Sequence, residues 1–435
     1  MGEKLPGMLL SLLIILKVFG STEASCTMSI SGSTAYCRNR GLTSVPQNLP
    51  TGIKYLDLYN NLITTLSQSD FSRYGNLTHL YLSKNHITTV NGRAFCNLYN
   101  YNNQSDFAEL SLSFNHLSNL RADMFTWLAN LEFLHLKNNE ISDIQAGTFN
   151  STPELISLWL YYNKLTNLRS DMFTGLGNLE TLYLSNNEIS DILAGTFSST
   201  PQLTSLYLNN NKITNLRLDM FRGLGILETL WLHNNEISDI QAGTFNSMPQ
   251  LVILDLQNNR LTVLNAEMFA ELSAISVNIA NRTKLFSFEG FIYLNINNNP
   301  WQCDCRMLPC RQKMTGSHPF ENQILCEGPS NFRGVRLKDI SPEDLICEEP
   351  GVPKQSQPAP SFSLPVLIGS VCGAVAGTVL VGTIILIIWC KRKTQNPPSD
   401  PNNPVAFSNT SANVTISGHD QTKQGEADTT GLVNP

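Results

Sequence analysis

The amino-acid sequence predicts a solenoid of the α/β type, in which short parallel strands line up along one side of a stack of coils. Three observations predict it. The pattern L-x-x-L-x-L-x-x-N recurs nine times, starting at positions 53, 77, 107, 131, 155, 179, 203, 227 and 251. The six steps from 107 to 251 are each 24 residues long. A Phe stands eighteen residues after every start, from Phe71 to Phe269. A fixed period of this length means that one unit buries its apolar face only against its neighbours, so function belongs on a surface built by many units together.

Along the chain, residues 1–24 read as a secretory signal, with Lys4 ahead of the apolar run Met8 to Ile15 and a small-residue cleavage site at Thr22 and Ala24. Residues 25–52 form an N-terminal cap that ends in the steps Val45-Pro46 and Leu49-Pro50. Repeats fill 53–298, about 11 units in all. One of these is a degenerate short unit around Val277 and Ile279, and the last is Phe291, Leu294, Ile296 and Asn299. The step from 77 to 107 carries six extra residues within Cys96 to Asp106, which belong on the side away from the strands. A C-terminal cap covers 299–349, and a Pro-rich stalk covers 350–365.

Val366 to Cys390 is 25 residues without a charge and ends at Lys391, Arg392 and Lys393. As a helix it reaches about 37 Å against about 30 Å of hydrocarbon, so a tilted transmembrane helix is expected with the basic triplet on the cytoplasmic side. Gly369, Gly373 and Gly377 make a small-residue stripe on it, on which two copies could pair as a homodimer. Residues 391–435 are too poor in apolar side chains to fold and read as a disordered cytoplasmic tail. The expected topology is type I at the plasma membrane, repeats outside.

Each position of the repeat has a physical cause. The leucines of the strand alternate at period two and point inward, while the Asn that follows can bind buried backbone groups of the turn with its amide. The Phe column packs as a spine on the far side. Cys26 and Cys37 stand beside the first repeat, and Cys303, Cys305, Cys326 and Cys347 follow the last. An oxidising compartment lets them bridge and tie down caps over the apolar ends of the stack. Cys96 is expected to be a buried thiol, and Cys310 is left open. Asn76, Asn103, Asn150 and Asn281 head extracellular Asn-x-Ser/Thr sites for glycans.

The formal charge of -6 and the lack of a long basic run exclude a nucleic-acid partner. His79, His135 and His233 stand at the strand surface in separate repeats without a consistent carboxylate partner, so no catalytic site, metal site or cofactor is expected.

Residues between the strand leucines face outward. Between the second and third leucine of each unit they are Asp57, Tyr81, Ser111, His135, Trp159, Tyr183, Tyr207, Trp231 and Asp255. Trp159 through Trp231 puts four adjacent aromatics in one column about 14 Å long. Tyr55, Tyr59, Phe133, Tyr161 and Tyr162 widen it, and Asp57, Asp255 and Lys137 add polarity. Contiguous exposed aromatic surface marks a binding site. The units starting at 131, 179 and 227 share N-N-E-I-S-D-I and A-G-T-F word for word, yet their strands read Phe133, His135, Lys137, then Thr181, Tyr183, Ser185, then Thr229, Trp231, His233. A fixed frame carries changed contact residues.

These units, their cysteine caps and the N-P-W-x-C-x-C opening of the last cap (Asn299, Pro300, Trp301, Cys303, Cys305) resemble the extracellular leucine-rich-repeat receptors over about Ser25 to Glu349. The near-identical cassettes with altered outward residues most resemble the variable lymphocyte receptors of jawless vertebrates. The chain differs from these in having only two cysteines before the repeats and a membrane span in place of a lipid anchor. Toll-like receptors share the ectodomain but carry an intracellular signalling domain that is absent here.

The resemblance implies an α/β leucine-rich-repeat solenoid, curved, with its parallel sheet on the concave face. It also implies bridges of Cys303 with Cys326 and of Cys305 with Cys347, and ligand binding on the concave face. The expected function is cell-surface recognition of a protein or glycan, on a microbial surface in an innate immune setting. The rival is an adhesion or developmental co-receptor that binds another cell-surface protein.

Overall fold

The computed structural model describes residues 26–98, 106–283 and 294–347. Its core is one 12-stranded sheet. The sheet opens with an antiparallel pair, Thr27–Met28 and Thr34–Tyr36, and then runs parallel through ten strands from Tyr55–Asp57 to Leu294–Asn295. Every internal strand is three residues long, because the pattern supplies one inward leucine flanked by two outward side chains. Leu56, Leu80, Leu110, Leu134, Leu158, Leu182, Leu206, Leu230 and Leu254 face one another in unbroken register, all fully buried.

The ladder asparagines are buried as expected. In each turn the amide oxygen accepts the backbone N–H of the preceding unit and the amide nitrogen donates to two carbonyls. Asn163, for example, accepts from Ile141 N at 3.0 Å and donates to Leu136 O and Leu160 O at 3.0 Å each. The residue just before each of these asparagines takes a left-handed backbone conformation, with φ of 54–57° from Asn60 to Asn298. Asparagine tolerates that conformation better than other L-residues, and it fills seven of these ten positions; Lys84, Phe114 and Tyr162 fill the rest.

All nine Phe of the expected spine are buried, with successive ring centroids 5.8 Å apart at Phe71–Phe95 and 6.2 Å at Phe173–Phe197. The side of the coil between strand and spine is built from turns and two-residue parallel strands, such as Asn167–Leu168 beside Asp191–Ile192, rather than from helices. The α part of the expected fold class is confined, among the described residues, to Ala266–Thr283 and Leu308–Lys313 near the C-terminal end.

The first of these helices replaces the degenerate unit expected around Val277 and Ile279. Its 18 residues, AEMFAELSAISVNIANRT, open with good helix formers, six of the first seven. The strand ladder passes directly from Leu254 to Leu294, so this segment adds no strand to it.

Charge gives the stack a second period. Glu140, Glu188 and Glu236, from the units sharing N-N-E-I-S-D-I, pair with Lys164 (2.8 Å), Lys212 (2.7 Å) and Arg260 (2.9 Å) of the following units. Asp143 and Asp191 pair likewise with Arg169 at 2.6 Å and Arg217 at 2.7 Å. Acidic and basic units therefore alternate, which accounts for the 48-residue repetition of the sequence.

The caps close both ends. Cys26 bonds Cys37, and Cys303 bonds Cys326 and Cys305 bonds Cys347, as the resemblance implied. At the N-terminal end Asn61 Oδ1 accepts from Arg40 N and Leu42 N. At the C-terminal end the side chain of Gln323 lies along the last strand, accepting from Ile296 N at 2.7 Å and donating to Leu294 O at 2.9 Å. Cys310 is a buried free thiol, pushed up to about 12 by desolvation and secondarily by Glu321, so it stays protonated and inert. Cys96 is half-buried rather than buried.

Asn76 and Asn150 are exposed. Asn281 lies in the helix Ala266–Thr283, while Asn103, residues 1–24 and the span with Gly369, Gly373 and Gly377 lie outside the described residues. Among the described residues no helix is long and apolar enough to cross a membrane.

Candidate functional site

The sheet register fixes the outward columns. Trp159, Tyr183, Tyr207 and Trp231 occupy equivalent positions on adjacent strands. Their rings form a chain: Trp159 meets Tyr183 edge-on at 5.6 Å, Tyr183 stacks on Tyr207 at 4.5 Å, and Tyr207 stacks on Trp231 at 6.2 Å. His135 extends it, 4.0 Å from Trp159, and His233 lies 5.4 Å from Trp231. Mutual stacking leaves these rings half-buried. Tyr55, Phe133 and Tyr162 along the flanks are exposed, and Tyr59, Tyr81, Tyr161 and Lys137 are half-buried beside the column.

Asp57 and Asp255 are not free polar contacts. Both are buried. Asp57 pairs with Arg38 and accepts the backbone N–H of Tyr59 at 3.1 Å, and Asp255 accepts that of Gln257 at 3.0 Å and lies 3.2 Å from His233 Nδ1. The flanking backbone turns toward these short carboxylates and closes over them.

The strand histidines, expected to have no consistent carboxylate partner, meet two different ones: Glu109 serves His79 and His135, and Asp255 serves His233. Glu109 stands between His135 at 3.3 Å and His79 at 3.8 Å and accepts from Tyr81 Oη at 3.1 Å. Its carboxyl is held below the usual value chiefly by the His135 hydrogen bond, against desolvation that raises it. The Tyr81 hydroxyl is pushed up, first by burial and then by Glu109. Glu109 thus gathers two imidazoles and a phenol from the strands on either side of it.

Toward the N-terminal half the face sinks into a cavity of about 380 Å³, lined by Arg38, Tyr59, Lys84, Phe114, Lys137 and Trp159 among others. Cations and rings alternate along it. Lys84 Nζ lies 5.2 Å from the Tyr59 ring and 5.7 Å from Phe114, and Lys137 Nζ lies 5.7 Å from Phe114, 5.6 Å from Trp159 and 5.3 Å from Tyr161. Lys84, Phe114 and Arg38 were not singled out from the sequence. The signal was there, since Lys84 and Phe114 stand immediately before ladder asparagines where most units place another Asn.

Among the described residues Asp304, Cys305 and Cys347 converge as metal-ligand types do. The two sulfurs are bonded to each other, which removes them as thiolate ligands, and Asp304 is occupied by Arg306 at 2.6 Å.

Comparison with known proteins places this geometry. The leucine rich repeat family model matches residues 37–100, 107–165, 130–189, 153–213, 178–237, 201–261 and 227–277, more than half of the 435 residues. The chain is a leucine-rich-repeat protein. The leucine rich repeat C-terminal domain model matches residues 323–348, within the disulfide-bonded cap.

This leucine-rich-repeat protein is 32% identical to lumican of Coturnix japonica over 154 residues, covering 30% of the chain and 45% of lumican. It is 34% identical to reticulon-4 receptor-like 2 of Rattus norvegicus over 138 residues, covering 32% of the chain and 31% of that relative. The matches thus span less than half the length of either relative.

Among solved structures it resembles a chain of the octameric complex of Latrophilin 3, Unc5D and FLRT2, with a TM-score of 0.54 at 23% identity over 73% of this chain and 97% of that one. The glycosylated Toll–Spatzle complex gives 0.53 at 24% identity over 71% and 48%. Both likenesses show the fold.

Proposed function

We propose that this leucine-rich-repeat protein is a single-pass cell-surface recognition receptor. It binds its ligand on the outward face of the long sheet, and it serves innate recognition of microbial surfaces. The observation that carries the reading is the chain of rings from Trp159 to Trp231, each in contact with the next and each half-buried. Large, stiff aromatic side chains give contact area at low entropic cost, and they dominate recognition surfaces for that reason.

Units with identical frames but different outward residues support variation of the ligand without cost to the fold. The same division underlies the likeness to variable lymphocyte receptors. Reticulon-4 receptor-like 2, by its name, lends the coarser part of the reading, a receptor. The uncharged segment Val366 to Cys390 supports a membrane anchor, and Gly369, Gly373 and Gly377 support pairing of two such helices.

The test is binding of the secreted extracellular segment to bacterial cells and to host cells, with Trp159→Ala and Trp231→Ala as controls. Binding to bacteria that falls at least tenfold in either variant supports the reading. Binding to host cells alone, lost in the same variants, replaces it with adhesion.

A further inference from the structure

The cavity in the N-terminal half of the sheet face differs in chemistry from the aromatic column. Its two lysines carry uncompensated charge: among the described residues neither Lys84 nor Lys137 has a carboxylate within ion-pair distance, although Arg38, Lys164 and Lys212 do. Each ammonium is instead held against ring faces, Lys84 between Tyr59 and Phe114, and Lys137 among Phe114, Trp159 and Tyr161. Ring faces steady a cation without neutralising it. In the same lining the Ser113 hydroxyl is buried with no hydrogen-bond partner among the described residues.

The backbone supplies an independent observation. The left-handed position before the ladder asparagine is Asn in seven units, and the three departures are Lys84, Phe114 and Tyr162, each at φ 55°. All three fall within the five repeats that border the cavity. Side chains other than Gly and Asn rarely adopt this conformation, so each departure sacrifices local stability. What is gained is a long side chain projected from the turn: Lys84 and Phe114 both line the cavity, and the Tyr162 ring lies 5.7 Å from Tyr161. Strained residues kept at one place point to a contact role there.

We propose that this cavity is a subsite for an anionic sugar, a terminal residue bearing a carboxylate or a sulfate group. The anion pairs with the Lys84 and Lys137 ammonium groups, and the apolar face of the ring packs on Phe114 and Trp159. At about 380 Å³ the cavity suits one or two sugar residues rather than a folded epitope. Each strand bordering it is hydrogen-bonded on both sides, so there is no strand edge for an extended peptide to join. The proposal rests on the sheet face being a recognition surface, and it names the ligand chemistry of one part of it.

The test uses full-length chain displayed on cells, probed with fluorescent sialyllactose, sulfated lactose, neutral lactose and a glutamate-rich peptide. The variants are Lys84→Asn, Lys137→Ser and Lys212→Gln; the first two install the residues that other units carry at the same positions, and the third removes a lysine outside the cavity that pairs with Glu188. Binding of sialyllactose or sulfated lactose but not lactose is expected. It should fall at least tenfold in Lys84→Asn and Lys137→Ser and stay unchanged in Lys212→Gln. The preferred probe distinguishes carboxylate from sulfate.

Because Asn suits the left-handed turn, Lys84→Asn should leave the melting temperature unchanged or raise it by about 2–4 °C. A fall in melting temperature overturns the contact role of Lys84. Binding of the acidic peptide alone, or of no anionic sugar, overturns the subsite. If cells are still bound through Trp159 and Trp231 in that case, the receptor reading survives; if they are not, both fall.

Discussion

Replacing Asn163 by Ala tests the asparagine ladder at its centre. Three groups lose a partner: Ile141 N, which donates to Oδ1 at 3.0 Å, and the carbonyls of Leu136 and Leu160, which accept from Nδ2 at 3.0 Å. They do not suffer equally. Leu136 O keeps the amide of Asn139 and Leu160 O keeps that of Asn187, each at 3.0 Å. The Ile141 N–H is left buried with nothing to donate to. An orphaned buried donor costs about 1–3 kcal/mol and each of the two remaining bonds about 0.5–1.5 kcal/mol, giving about 2–6 kcal/mol for Asn163→Ala.

That is a large part of the roughly 5–15 kcal/mol by which a folded domain exceeds its unfolded state. Equilibrium unfolding of the extracellular segment in urea, followed by tryptophan fluorescence, should show the midpoint falling accordingly. A loss below about 1 kcal/mol at unchanged slope would mean that water or a shifted backbone satisfies Ile141, and the ladder would not be the element that holds the turns together.

Two further outcomes follow from the charges. Deleting residues 155–202 brings Glu140 opposite Lys212 and Asp143 opposite Arg217, whereas deleting only 155–178 sets Glu140 beside Glu188 and Asp143 beside Asp191. The shorter deletion should melt at the lower temperature, with the gap narrowing in high salt; equal melting temperatures would refute the alternation. Glu109, held below its usual value by His135, contributes stability that is complete above the ordinary carboxylate value of 4.5 and is lost as pH falls through the lower folded value. Glu109→Gln should therefore lower the melting temperature at pH 7, with the deficit shrinking as pH falls below 4.5; a deficit independent of pH would place the residue's role elsewhere.

The repeat frame was legible in the sequence because each of its positions has one solution. Inward leucines, ladder asparagines and spine phenylalanines stand at the expected residues since period and burial leave no other arrangement. The ring column followed from strand alternation. The segment 266–283 misled because Val277 and Ile279, two apart in the sequence, imitate a worn strand, whereas they continue a helix that opens with the strong helix formers of residues 266–272.

The fate of Asp57 and Asp255 was hidden because a short carboxylate on an outward column can fold back onto its own turn, which strand periodicity does not report. Glu109 was missed because its partners come from strands on both sides of it, and two of them, Tyr81 and His135, are diagonal to it. Lys84, Phe114 and Tyr162 were readable in principle, but only once the position before the ladder Asn is known to be left-handed.

Twelve strands in one sheet would ordinarily invite a thirteenth from another molecule, through open backbone groups at either margin. This sheet ends in a two-residue strand, Thr27–Met28, on one side, and on the other a single glutamine stands in for the missing neighbour by bonding both Leu294 and Ile296. Many copies can then crowd together without zipping into fibres. Whatever docks on the molecule is chosen by side-chain chemistry and not by the indiscriminate pairing of main chains.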